Sequence, residues 1–391
     1  MVGNRIMGAG WARSIRKDDV PHGSSPSAPR RWSIPTAIAS TEMANHRVTR
    51  SGDQPGEVGT SGATTEASER SVVPSGGSVR CSLVVLNYDE RDLLLACVRS
   101  MLAAVGPTDE IIVVDNGSHD GSADAVSRTF PSVRLVRLPE NRYIFSLNAG
   151  LAVARGEFVA FCNNDMEVED NFVERALDCF VSDDIFAVCS RVLDRNGAEQ
   201  GTRTAGYWKR GLLFYEPLAH SPVSTDCFFA VGGQSFYRRD VLTAMGSIDE
   251  LLWPMYHEDI ELSYRAWKNG YRIVYAPGSV CHHMGGRTST RVFTATQLRS
   301  FVRQNELLTV WKDVTDTTML LEHVLWLLPR FVAALLHWDT GTLLGYGSAF
   351  RRLPRAVRSR RGARALFRRS DRAVLDLVSV SAIEGHRPAA G

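Results

Sequence analysis

The 391-residue sequence predicts an α/β protein, with a mostly parallel central sheet flanked by helices and then a helical C-terminal extension. Two observations carry that expectation. From residue 80 onward, apolar β-branched runs alternate with segments of helical period, the pattern of a sheet covered on both faces. Each run also ends in polar residues, at Asn87-Tyr88, Asp115-Asn116 and Asn163-Asn164-Asp165. In such sheets, ligands bind beyond the carboxyl ends of the strands. A composition of 44% hydrophobic and 23% charged residues excludes a collagen-like chain, a wholly disordered one and a polytopic membrane protein.

The elements follow in order. Residues 1–79 are rich in Ser, Gly, Thr, Pro and Ala and are expected to be disordered, because such a stretch buries too little apolar surface to offset its chain entropy. CSLVVLNY is read as a first strand and ERDLLLACVRSMLAAV as a helix. DEIIVVDNGS is a second strand ending in a turn, and GSADAVSRTF a short helix. VRLVRLPE, FSLNAGLAVAR and GEFVAFCNND continue the alternation as strand, helix and strand. Later, IELSYRAWKNGYRI opens a helix and residues 271–275 form a further strand.

Charge is unevenly distributed behind a net +2. Residues 80–284 carry 19 basic and 28 acidic side chains, whereas residues 285–391 carry 17 and 8. That asymmetry suggests a cation-using core and a tail facing an anionic surface, although charge asymmetry alone often has no functional meaning. The seven cysteines show no C-x-x-C spacing and have mostly apolar neighbours, which fits buried, reduced thiols in a cytosolic protein. The first 21 residues contain no apolar core of the secretory type, so no secretory leader is expected.

Three places carry candidate chemistry. Asp115 at a strand mouth can accept hydrogen bonds from a nucleobase or ribose, and Asp-Asn-Gly-Ser is equally a good turn. Asp165, after Asn163-Asn164, suits a hard divalent cation that also takes substrate phosphates, or belongs to a solvated acidic loop. His257-Glu258-Asp259 opens a helix, where acidic residues are favoured by the helix dipole and where a carboxylate could act as a general base. His282-His283 precede Gly285-Gly286, and a histidine there could complete a metal site.

Taken together, SLVVLNY, DEIIVVDNGSHDGS, the run from VRLVRLPENRYIF to FVAFCNND, and the segment from GGQSFYRRD to SVCHH resemble the family 2 glycosyltransferases of the GT-A fold. The likeness is greatest to the rhamnosyltransferase-like bacterial members. It covers residues 80–290, the expected GT-A catalytic domain, with a weaker echo to about residue 330. The resemblance implies a nucleotide-diphosphate sugar donor, a Mg²⁺ or Mn²⁺ ion, and inversion at the anomeric carbon. It implies that Asp259 is the catalytic base and that Glu258 positions it or the acceptor. It further implies metal contact through Asp165 and His282, and donor contact through Asn87, Tyr88, Asp115, Asn116, Arg142, Asn148 and Asn164. The expected function is transfer of a sugar such as rhamnose to a hydroxyl of a cell-envelope glycan or lipid-linked acceptor. Another donor, such as UDP-galactofuranose or UDP-hexose, and a non-catalytic sugar-nucleotide-binding scaffold are the alternatives. The sequence departs from the family at Asn163 and Asn164, where relatives often have Asp, at residues 143–146, where glycines are usual, and at His257, where an aromatic residue is common.

Residues 291–391 are expected to form a helical, Arg-rich extension. Residues 318–338 are strongly apolar but interrupted by Glu322, His323, Pro329 and Arg330, a poor spanning segment that suits either the membrane interface or packing on the catalytic domain. Ten arginines lie within residues 351–372. No nucleic-acid reader motif accompanies them, so nucleic acid is not an expected partner. They suggest peripheral attachment to the inner face of the plasma membrane from the cytoplasm.

Overall fold

The computed structural model describes residues 78–285 and 288–385, so the expectation of disorder over 1–79 falls almost wholly outside the described residues. The first half alternates strand and helix: β1 (Cys81–Asn87), α1 (Arg91–Ala104), β2 (Glu110–Asp115), α2 (Ser122–Thr129), β3 (Arg134–Arg137), α3 (Leu147–Val153) and β4 (Phe158–Asn163). Then come β5 (Met166–Val168), α4 (Phe172–Leu177), β6 (Ile185–Asp194), the hairpin of β7 (Thr204–Lys209) and β8 (Leu212–Pro217), and β9 (Thr225–Asp226). β10 (Gln234–Arg238), α5 (Arg239–Ala244), α6 (Glu258–Lys268) and β11 (Arg272–His283) complete the strand-bearing part. Only helices follow: α7 (Thr288–Val292), α8 (Ala295–Asp313), α9 (Thr317–Leu336), α10 (Thr340–Arg364), α11 (Asp371–Leu377) and α12 (Val380–Gly385).

Nine strands form one sheet in the order β3-β2-β1-β4-β10-β6-β11-β5, with β9 also paired to β11. β1 to β4 run parallel, as do β6 and β11, while β10, β5 and β9 run against their neighbours. The continuous apolar runs are explained by burial of both faces. On one face Val84, Ile112 and Val114 pack with Phe145 and Leu151. On the other, Leu83, Val85, Ile111 and Val113 meet Leu94, Val98 and Met101 of α1. All seven cysteines are free thiols, six of them buried.

The helices after β11 share the first of these cores. Leu307, Leu308 and Val310 of α8 pack in one cluster with Phe228 and Trp267. α8 starts at a capping box, in which the Thr294 hydroxyl accepts from the Gln297 N–H and the Gln297 side chain accepts from the Thr294 N–H. α9 is the one helix among the described residues that is long and apolar enough to cross a membrane, by length and composition alone. The polar residues expected to interrupt it face the protein instead. Glu322 accepts from Trp208 Nε1 at 2.7 Å, His323 bonds the Gly211 carbonyl at 2.7 Å, and Arg330 donates to the Arg210 carbonyl at 2.5 Å.

Candidate active site

The carboxyl ends of β1, β2 and β4 are tied together by a buried amide network. Asn87 donates to Ser122 Oγ at 2.9 Å and Ser118 Oγ at 3.0 Å, and accepts from Asn164 Nδ2 at 2.7 Å. Its Nδ2 also lies 3.3 Å from Asp115 Oδ1. Asn116 accepts from the Arg142 N–H at 2.9 Å and donates to Asn141 and the Tyr143 carbonyl, so it shapes the loop over 141–146. Asn148 holds the next loop by bonding both the carbonyl and the N–H of Ile248. Thus Asn87, Asn116, Asn148 and Asn164 use polar atoms to build the walls of the site. Tyr88 is half-buried beside them, and Arg142 pairs with Glu250 at 2.8 Å. The bulky residues standing where glycines are usual form a short 3-10 turn, and Tyr143 and Phe145 pack on Trp253 with ring centroids 5.2 and 5.6 Å away.

Next to β1 and β2 opens a groove of about 680 Å³ lined by Asp89, Glu90, Arg91, His119, Asp120 and Arg291. Arg291, in α7, forms an ion pair with Glu90, and Tyr256 Oη lies 2.8 Å from Ser289 Oγ of the same helix. α7 therefore bridges the loop after β1 and the segment leading into α6. None of these groove residues stood out in the sequence, because their pairings span from about thirty to about two hundred positions.

Asp165 follows β4 directly. Its Oδ2 lies 2.9 Å from His283 Nε2, and its buried Oδ1 has no hydrogen-bond partner. His282, the histidine expected to join Asp165, instead lies 3.2 Å from Glu169. The reason is strand period: neighbours on β11 point to opposite faces, so only one of the two histidines can meet Asp165. The backbone at Gly285 approaches so closely that a β-carbon there would overlap the Asp165 carboxylate. A Gly-rich stretch after two histidines was the available signal for that approach.

Glu258 and Asp259 form the first turn of α6. Asp259 Oδ1 accepts from the Ile260 N–H at 2.8 Å, and Oδ2 accepts a longer bond from the Gly232 N–H at 3.4 Å. Glu258 Oε2 is buried with no partner. Burial, with Asp259 alongside, pushes the Glu258 carboxyl up to about 8. Burial also raises Asp259, against the hydrogen bonds it accepts. The same burial lowers His257, whose Nδ1 lies 3.2 Å from Thr309 Oγ1. Gly233, at φ +88°, accepts at its carbonyl from the Asn163 N–H at 2.9 Å. The Gly232-Gly233 turn thereby joins the β4 end, which leads to Asp165, to the carboxylates of α6. A side chain at 233 would collide with Asn163 and adopt the left-handed backbone that favours glycine.

A divalent ion fits this chemistry. Asp165 offers an unpartnered buried oxygen, and His283 a nitrogen beside it. Among the described residues no group of three His, Cys, Asp or Glu side chains converges, so phosphate and water oxygens would supply the rest of the shell, as hard cations at phosphate sites commonly allow.

Residues 82–246 match the model described as Glycosyl transferase family 2. The chain is 27% identical over 182 residues to an uncharacterised glycosyltransferase of Nostoc sp., covering 45% of this chain and 56% of that protein. It is 24% identical over 217 residues to the uncharacterised glycosyltransferase YibD of Escherichia coli, covering 54% and 62%. It is 29% identical over 280 residues to the O-antigen biosynthesis protein RfbC of Myxococcus xanthus, covering 67% and 21%. The chain thus spans less than two thirds of each of these relatives. Among solved structures, GalNAc-T7 with UDP, GalNAc and Mn²⁺ superposes with a TM-score of 0.50 at 17% identity, covering 60% of this chain and 48% of that one, a likeness of fold.

Proposed function

We propose that the chain, whose residues 82–246 match the Glycosyl transferase family 2 model, transfers a sugar from a nucleotide-diphosphate donor to an acceptor hydroxyl with inversion. The observation that carries this reading is the Glu258-Asp259 pair: two half-buried carboxyls at a helix start, with no cation bonded to either among the described residues. A carboxylate raised by desolvation without a counter-charge is a stronger base than a solvated one.

Asp259 accepts the proton of the acceptor hydroxyl as its oxygen bonds the anomeric carbon. The bond from that carbon to the departing phosphate breaks, and its electron pair leaves with the nucleoside diphosphate. The acceptor attacks opposite the leaving group, which gives inversion. Glu258, neutral at pH 7, holds a proton beside Asp259 and so does not repel the attacking oxygen. Asp165 and His283 would hold a Mg²⁺ or Mn²⁺ ion, which when bound neutralises charge on the diphosphate. The buried Asn87–Asn164 bond and the Asn116 contacts keep the strand ends and donor loop in register. Rhamnose or a similar sugar is the proposed donor group, and a cell-envelope glycan or lipid-linked hydroxyl the proposed acceptor.

A panel of nucleotide sugars, each assayed with Mn²⁺ and with EDTA, tests this. Transfer or slow donor hydrolysis by one donor, lost in EDTA and restored by Mn²⁺, is expected. Donor binding with neither reaction across the panel would favour a scaffold.

A further inference from the structure

We propose that the exposed face of α9, together with the free arginine face of α10, docks on an anionic lipid bilayer, with α9 lying in the membrane interface. In the most apolar stretch of α9 only 17% of residues are buried. Leu325, Leu328 and Leu336 are 65%, 68% and 74% exposed, and Trp338 just beyond the helix is 85% exposed. So large a contiguous apolar surface on a soluble chain marks an interaction site. Its polar residues are already committed to the β7–β8 hairpin: Glu322, His323 and Arg330 all bond it, and Arg210 stacks over Trp326 at 5.1 Å. A spanning orientation would pull these groups out of their bonds. An interfacial one keeps them and buries only the apolar face.

The adjoining charge selects lipid as the occupant. Of the ten arginines over 351–372, four are engaged by the protein. Arg352, Arg360 and Arg369 donate to backbone carbonyls, and Arg372 bonds Asp316 and Thr318. These four therefore do not serve the anionic surface expected from sequence. Arg351, Arg355 and Arg358 are exposed, have no hydrogen bond or ion pair among the described residues, and recur at helical spacing on one face. Phe350, next to Arg351, packs on Trp311, whose indole bonds His323 of α9, so α10 and α9 are neighbouring helices. A protein partner for the apolar face would leave that basic stripe without a role, whereas an anionic leaflet uses both.

The surface also reaches the site. Asp339, in the turn after α9, pairs with Arg299 of α8 at 3.2 Å, and Phe293, just before α8, packs on Tyr143 of the donor loop. Docking along α9 would therefore hold the loop carrying Tyr143 at a fixed distance from the lipid surface. This proposal stands on the docking surface alone, and its test reads binding, not transfer.

The test is flotation of the full chain with phosphatidylcholine vesicles, with and without phosphatidylglycerol. Wild type is expected to float with the phosphatidylglycerol vesicles and to release at high salt. Leu325→Asp with Leu328→Asp is expected to cut partitioning roughly tenfold or more at an unchanged melting temperature, since both side chains are exposed. Arg355→Gln with Arg358→Gln should cost roughly fivefold per charge, and only with the anionic vesicles. Failure of wild type to float, or equal flotation of the leucine variant, overturns the proposal. So does a wild-type dimer that the leucine variant dissolves, which would assign the face to a second copy.

Discussion

Helix α6 carries two sets of carboxylates with opposite outcomes. At its start, Glu258 and Asp259 are half-buried, Asp259 accepts from backbone N–H groups, and desolvation raises both carboxyls. One turn on, Glu261 bonds Arg265 at 2.8 Å and Lys312 at 2.6 Å, and burial that would raise its carboxyl is overcome by those two cations. Lys312 also bonds Asp249, whose carboxyl falls to about 2. At the end of the helix Lys268 meets Asp371 of α11 at 2.7 Å, both fully buried. Glu261 is the more deeply buried, yet its carboxyl is the one that is lowered, so the presence of a cation decides the outcome. Paired carboxylates fasten the C-terminal helices to the domain, and unpaired ones remain available for proton transfer.

The strongest way to break this contrast is Asp259→Asn. Transfer should fall about 10²- to 10⁴-fold, the usual contribution of a general base, while the melting temperature holds, because the amide still accepts from Gly232 and a buried charge is gone. A rate within a few-fold of wild type would remove Asp259 as the base. Lys268→Met should do the reverse. It leaves the Asp371 carboxylate without its cation while Tyr264, Thr315 and Asp316 still donate to it, so unfolding should cost about 1–3 kcal/mol less by denaturant titration, with the donor Kd unchanged in protein that remains folded. A stability loss below about 1 kcal/mol would show that the pair contributes little.

Glu258→Gln sharpens the comparison most gently. Glu258 titrates higher in the folded than in the unfolded chain, so its contribution is fully present below the ordinary carboxylate range and is lost as pH rises through about 8. Wild-type stability should therefore decline across that window, and the glutamine variant should flatten the decline. The paired carboxyls of Asp249 and Glu261 act oppositely: their stabilisation is present at neutral pH and lost only on acidification. Thermal melts of both proteins from mildly acid to alkaline pH check both signs, and parallel curves would place the Glu258 titration elsewhere.

Much of the site was legible because its residues sit where strands end or helices begin. The run ending in Asp115, the run ending in Asp165 and the helix opening at Glu258 all follow from local pattern, and the fold class from their alternation. What local pattern could not supply was which of two adjacent residues faces inward. His283, not His282, meets Asp165, and that depends on the register of β11 against β5. Nor could composition separate the arginines. Arg352 and Arg360 match Arg355 and Arg358 in kind and share a helix with them, yet the first two bond backbone carbonyls and the second two face outward.

By itself, then, the sequence determined the alternation of strand and helix, the acidic strand ends and the apolar segment that becomes α9, since each depends on neighbours a few positions apart. The tertiary structure alone decided which carboxylates receive a lysine, which histidine reaches Asp165, and which face of α9 is left bare. Those outcomes depend on pairings such as Lys268 with Asp371 and Gly211 with His323, which lie more than a hundred residues apart in the chain. Charge compensation in a buried interior acts only at contact distance, and contact between such distant positions exists only once the chain has folded.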